Sequence, residues 1–260
     1  MTPVAERDTG SQMRILLLNP NTTEAMTRRL VDVGRSVASH GTELVPLTAP
    51  KGVPYIATRA EAQIGGAIAL EMLAEHHRQV DAAIIAAFGD PGLLGARELF
   101  DIPIVGMAEA AMLAACMLGR RFAIVTFARA LGPWYQECVD MHGLSGRCAG
   151  IRMLDTAIAS VPDVQDEKEA MLVDLANRAV IEDGADVIIL GGAPLAGLAQ
   201  KVRDRITVPL VDQVQAAVKM AEMLVALKPR KATAGTFRRP DAKAATGLNA
   251  ALASRISHTD

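Results

Sequence analysis

Large rings are scarce in this chain. One Trp, two Tyr and five Phe make up 3% of its 260 residues. The core must therefore be filled by Ala, Val, Ile, Leu and Met. Half of the chain is hydrophobic, which suits tightly packed helix-on-sheet layers. No apolar run reaches the roughly 18 residues of a membrane-spanning helix. Net charge is only −2, which leaves no basic footprint for nucleic acid or an anionic membrane. The three cysteines have neither disulfide-like nor metal-like spacing, as expected of a protein from a reducing cytoplasm. No HExxH pairing, phosphate loop (GxxxxGK[ST]) or GxGxxG turn after the first strand is present, so neither metal nor cofactor is expected. Residues 1–12 are polar, lack the apolar stretch of a secretory signal, and read as a flexible leader.

What the chain does contain, it contains twice. Asp81-Ala-Ala-Ile-Ile-Ala-Ala-Phe returns as Asp186-Val-Ile-Ile-Leu-Gly-Gly-Ala, and Ile102-Pro-Ile-Val as Val208-Pro-Leu-Val. Arg14-Ile-Leu-Leu-Leu has a weaker echo in Arg121-Phe-Ala-Ile-Val. The offset stays close to 106 residues. Short, wholly apolar strands alternate with helical patterns in both copies, as in parallel sheets buried on both faces. The expected fold is α/β: two pseudo-symmetric Rossmann-like lobes facing each other across a cleft. Residues 13–106 with 212–227 would form the first lobe and 107–211 the second. Residues 228–260 would be a C-terminal arm. Its basic stretch Lys231–Arg239 is read as a surface or partner-chain contact, or as an anion site at Arg238 and Arg239, with disorder toward the end.

Ligands of such sheets bind beyond the carboxyl ends of the strands. Asn19-Pro20-Asn21-Thr22-Thr23 follows the first strand. It is either an ordinary turn with helix-capping residues or a donor-rich ligand loop. Ala87-Phe88-Gly89-Asp90-Pro91-Gly92 and Gly191-Gly192-Ala193-Pro194 end equivalent strands, with glycines that allow close backbone approach. Thr126 and Phe127 close the first strand of the second copy. Asp90 is a general base or a helix cap. Glu109, in a first helical turn, is a base or a dipole partner. Tyr55, in a Pro-containing loop, could close over the cleft. Asp212 reads chiefly as a cap. His40, His76, His77 and His142 read as helix-end residues, and Cys116, Cys138 and Cys148 as inert.

Between Met13 and about Leu227 these motifs resemble the Asp/Glu/hydantoin racemase superfamily, and its hydantoin and allantoin racemase branch above all. The resemblance is carried by Ile15-Leu-Leu-Leu-Asn-Pro-Asn-Thr-Thr, Ala87-Phe-Gly-Asp-Pro-Gly-Leu, Val105-Gly-Met-Ala-Glu-Ala and Ile189-Leu-Gly-Gly-Ala. It implies two lobes and cofactor-independent chemistry on a small molecule. It also implies two cysteines facing each other across a stereocentre, one as base and one as acid. Those cysteines would fall on Ala87 and Gly192, so this chain has the frame without its acid–base pair.

The expected function is an enzyme acting at a carbon next to a carbonyl, on a small carboxylate or hydantoin-like compound, by chemistry without cysteine. Asp90, Glu109 and Tyr55 are its candidate catalytic groups. Asn19, Pro20, Asn21, Thr22, Ala87, Phe88, Gly89, Thr126, Phe127 and Gly191 to Pro194 are its candidate substrate contacts. A silent ligand-binding member and a hydrolase or lyase on a related ring or acid stay open as alternatives. A homo-oligomer is expected, with the apolar helix Ala108–Leu118 as core or subunit interface.

Overall fold

A computed structural model describes residues 12–155 and 163–260. The leader expected over 1–12 falls outside them except for Gln12. The chain alternates strand and helix in the order β1 (Met13–Asn19), α1 (Glu24–Arg35), β2 (Thr42–Thr48), α2 (Arg59–His76), β3 (Ala82–Ile85), α3 (Leu93–Leu99), β4 (Ile104–Gly106) and α4 (Met107–Leu118). The second round runs β5 (Phe122–Thr126), α5 (Gly132–Met141), β6 (Cys148–Met153), α6 (Val164–Asp183), β7 (Val187–Leu190), α7 (Leu198–Val202), β8 (Leu210–Asp212) and α8 (Gln213–Leu227). A last helix, α9, spans Ala250–Ser257.

Two four-stranded sheets result, ordered β2-β1-β3-β4 and β6-β5-β7-β8, and every strand pair is parallel. Burial on both faces explains the apolar runs. Along β1, Ile15 and Leu17 point into one core while Leu16 and Leu18 point into another, under α2 and α3. This is the period-two alternation of a strand. Fully burying each such side chain contributes about 1.5–3 kcal/mol. The first core is continuous through both lobes, from Ile15 and Leu30 to Ile188 and Leu198.

The final helix of each copy crosses over. α4 packs on β5, β7 and β8, whereas α8 packs on β1, β3 and β4, and the two helices lie against each other. Helix starts follow local chemistry. Thr58 and Glu61 form a reciprocal capping box at α2, and Asp212 caps α8 by accepting from Val214 N and Gln215 N.

The arm corrects the expectation of disorder near the end. Asn249 caps α9, which packs along α2. Arg255 is buried there, with its guanidinium donating to Leu99 O, Asp101 and Asp260. Arg238 pairs with Asp241, and Arg239 with Asp260, so both basic residues offered as an anion site already have carboxylate partners. Among the described residues no helix is long and apolar enough to cross a membrane.

Candidate functional site

In each sheet the order reverses beside the first strand of the copy, between β1 and β3 and between β5 and β7. Chain leaving neighbouring strands there diverges and opens a crevice. The register sets Leu18 beside Ile85 and Val125 beside Leu190. The four loops that follow therefore meet between the lobes. The loops after β1, β3 and β7, the segment after β2 and the start of α5 line a small chamber of about 20 Å³, with Asn21, Tyr55, Ile56, Ala87, Phe88, Trp134, Tyr135 and Ala193 in its walls. That is room for about one water molecule, so a ring-sized molecule fits only if the walls move apart.

The first wall comes from the loop after β1. Asn19 is fully buried. Its amide donates to Asn21 Oδ1, Thr23 O and Thr27 Oγ1, while its own Oδ1 accepts from Asn21 N. Asn19 thus shapes the loop, and Asn21 lines the chamber. Pro20 is buried beside Gly65, and Thr22 is tied by its amide to Val53 O. Thr23 takes the N-cap position of α1, yet its hydroxyl donates to Pro54 O instead of capping. That bond ties the β1 loop to the segment carrying Tyr55.

The second wall is aromatic. Phe88 packs on Tyr135 with ring centroids 4.7 Å apart, and Tyr55 on Phe127 at 6.1 Å. Burial pushes the hydroxyls of both Tyr55 and Tyr135 above the ordinary phenol range, so both stay protonated. The Thr126 hydroxyl faces Tyr135 but, among the described residues, has no partner at hydrogen-bonding geometry. Buried polar atoms seldom go unpaired.

Gly192 holds a φ of +115°, a region L side chains rarely adopt. A Cβ there would lie 3.3 Å from the Tyr135 hydroxyl and 2.9 Å from Phe127 Cε1. Gln213, which the sequence did not single out, clamps this turn. Its Oε1 accepts from Gly192 N at 3.0 Å and its amide donates to Gly192 O. The Gly192 amide is therefore engaged, whereas the amides of Phe88 and Gly89 meet no acceptor among the described residues. Gly191 lies against Phe88 of the other lobe. The Pro194 carbonyl accepts from Arg29 and Gln165.

Asp90 and Glu109 sit apart from this chamber. Asp90 is buried, and its φ of +50° is a conformation aspartate tolerates better than most residues. Its carboxylate accepts from Ala108 N and Glu109 N, each at 2.8 Å, so it caps α4 rather than the neighbouring α3. His142 Nε2 lies 3.1 Å from Asp90 Oδ2, and His142 Nδ1 lies 3.4 Å from Glu109 Oε1. Arg97 grips Glu109 with two nitrogens. Burial alone would lower the imidazole's basicity, but Asp90 and Glu109 outweigh it and hold His142 up to about 9. Burial likewise raises the Glu109 carboxyl, while Arg97 and His142 bring it down to about 2. His142 is thus a buried interlobe link rather than an ordinary helix-end residue. Two signals were available for it: the α5 register and the acid pair 90/109.

A larger cavity of about 490 Å³ lies outside the chamber, lined among others by Arg59, Gln63, Asp90, Trp134, Glu137 and Cys138. Trp134 borders both spaces, and its indole covers Gly89, where a Cβ would collide with it. Arg59 of α2 and Glu137 of α5 are joined at 2.8 Å beside this cavity, linking the two lobes.

Known proteins resemble this chain in sequence and fold. The family model described as Asp/Glu/Hydantoin racemase matches residues 15–221. A hydantoin racemase of Paenarthrobacter aurescens is 33% identical over 233 residues, covering 89% of this chain and 99% of that protein. The structure of allantoin racemase from Klebsiella pneumoniae superposes with a TM-score of 0.86 at 36% identity, over 92% of this chain and 98% of the other. That of allantoin racemase from Pseudomonas fluorescens gives 0.84 at 34%, over 90% and 100%. By sequence and by fold, this chain belongs to the Asp/Glu/hydantoin racemase family.

Proposed function

We propose that the interlobe chamber takes a small carboxylate or hydantoin-like compound and acts, where a carboxylate can depart, at the carbon next to its carbonyl, delivering a proton to one face only. One observation carries this reading: the Tyr135 hydroxyl stands 3.3 Å from where a Gly192 side chain would begin, the position to which the resemblance assigns the second thiol. A phenol held neutral by burial keeps its proton at any working pH and is no base, so it is a donor only toward a strongly basic carbanion. On the opposite side, Ala87 supplies no base. Neither Asp90 nor Glu109 lines the chamber; both carboxylates belong to the His142 network. The free amides of Phe88 and Gly89 and the hydroxyls of Thr126 and Tyr55 are the donors for a developing enolate oxygen.

Without a base, hydrogen cannot leave the substrate carbon as a proton, but a carboxylate can leave as carbon dioxide. The C–C bonding pair then becomes the enolate, the Tyr135 O–H bond gives its proton to carbon, and water reprotonates the phenolate. The test uses purified protein in deuterated water with a substituted malonate and with both enantiomers of a 5-substituted hydantoin. The expected result is one deuteron added to the malonate-derived acid in a single configuration, and no two-way racemisation of the hydantoins. Tyr135→Phe should remove turnover, by about 100-fold or more for a lost general acid, and leave the fold intact. Rapid racemisation of both hydantoin enantiomers, or full activity in Tyr135→Phe, would refute the reading. The lack of a base at Ala87 also favours a second reading, a binding protein without turnover. It predicts thermal stabilisation by the same panel with no product formed.

A further inference from the structure

The His142 network meets the outer cavity at a point where three different ligand types converge. One ligand atom each from Asp90, Cys138 and His142 lies within 4.8 Å of the others. We infer that these three residues form a binding site for a divalent transition metal, zinc above the others, with its fourth position open to the outer cavity.

Four observations support it. Carboxylate oxygen, thiolate sulfur and imidazole nitrogen form a donor set that suits zinc, and three protein ligands with one open position is the arrangement of reactive rather than structural zinc. Cys138 and His142 lie one helical turn apart at the end of α5, so both side chains fall on one face. The supporting groups are also in place. His142 Nδ1 faces Glu109 Oε1 at 3.4 Å, with Arg97 behind it, the carboxylate–histidine pairing that orients metal-bound imidazoles. Asp90 is fixed by two amides of α4. Finally, the cavity of about 490 Å³ is lined by both Asp90 and Cys138, which provides an entry path and space for water or a ligand atom on the metal.

An ion would replace the proton that His142 Nε2 now shares with Asp90 and the proton on the Cys138 sulfur, while Nδ1–H continues to donate to Glu109. Neither Tyr135 nor the chamber takes part, so this inference stands whether or not the chamber turns a substrate over.

The experiment uses the full chain, stripped with a chelator and titrated with Co²⁺, followed by displacement with Zn²⁺. One cobalt per chain is expected, with visible ligand-field bands and a thiolate-to-cobalt charge-transfer band in the near ultraviolet, all erased by zinc. Cys138→Ala, a small-for-small change, should keep the circular dichroism spectrum and lose the charge-transfer band. Glu109→Gln should keep the band and weaken binding about 10- to 100-fold. Absence of bound cobalt in the wild-type protein would overturn the inference. So would a charge-transfer band that survives Cys138→Ala, which would point to Cys116 or Cys148 instead.

Discussion

Positions 87 and 192 are unequal as homes for a thiol. The backbone at Gly192 has a φ of +115° and Phe127 is 2.9 Å from the missing Cβ. Ala87 already carries a Cβ and is not among the residues with positive φ. Ala87→Cys should therefore leave stability nearly unchanged, whereas Gly192→Cys should cost about 1–3 kcal/mol through backbone strain alone. Urea unfolding of both variants would measure the difference, and equal costs would show that the turn relaxes freely. Placing cysteines at both positions is expected to yield a weakened protein rather than an efficient two-thiol site.

At the scale of elements, the joint between the loop 87–92, α4 and the end of α5 is ionic. His142 titrates at about 9 in the folded protein, above the ordinary 6.5. Its stabilising share is therefore fully present below about pH 6.5 and lost as pH rises through about 9. Glu109 is held at about 2, below the ordinary 4.5, so its share is present above about pH 4.5 and lost as pH falls through about 2. Removing His142 takes the imidazolium from Asp90 and Glu109 but leaves Asp90 its two amide donors and Glu109 its Arg97, a loss of about 1.5–3 kcal/mol for hydrogen bonds to charged groups. In chelator-treated protein, His142→Ala should unfold earlier in urea at pH 7 and lose less stability than wild type between pH 7 and pH 10. Parallel curves would exclude this role. The terminal helix is held differently. Arg255→Ala removes charged hydrogen bonds to Leu99 O, Asp101 and Asp260, a loss of about 2 kcal/mol. Calorimetry should then show a Tm lower by roughly 4 to 8 °C. Nothing in the sequence marked α9 beyond a single Asn cap and one turn of amphipathic spacing, too little to stand against a long basic stretch without periodicity.

Across the whole molecule, the repeat made the two sheets legible. Strands such as Val187–Leu190, with four consecutive buried apolar residues, have no other easy reading than the middle of a parallel sheet. The loops at their ends followed, because sheet order alone determines where a crevice opens. What escaped was everything supplied by helix faces. Tyr135 and Trp134 lie in an ordinary-looking helical pattern, and only the docking of α5 against the first lobe brings them to the chamber. Gln213 follows a strand whose neighbour Asp212 is an evident cap, so its grip on Gly192 was hidden. Asp90 caps a helix that begins 17 residues later in the chain, a pairing that periodicity cannot register.

Trp134 is the only indole in the chain, and it forms the partition between the two cavities. Its fluorescence therefore arises from a single wall, with no other tryptophan to dilute it. A molecule that passes from the outer cavity into the chamber across this wall turns that ring away from Gly89 and changes its exposure. Emission colour and quenching by iodide would then follow occupancy in the unmodified protein, giving a label-free optical titration for any compound that enters.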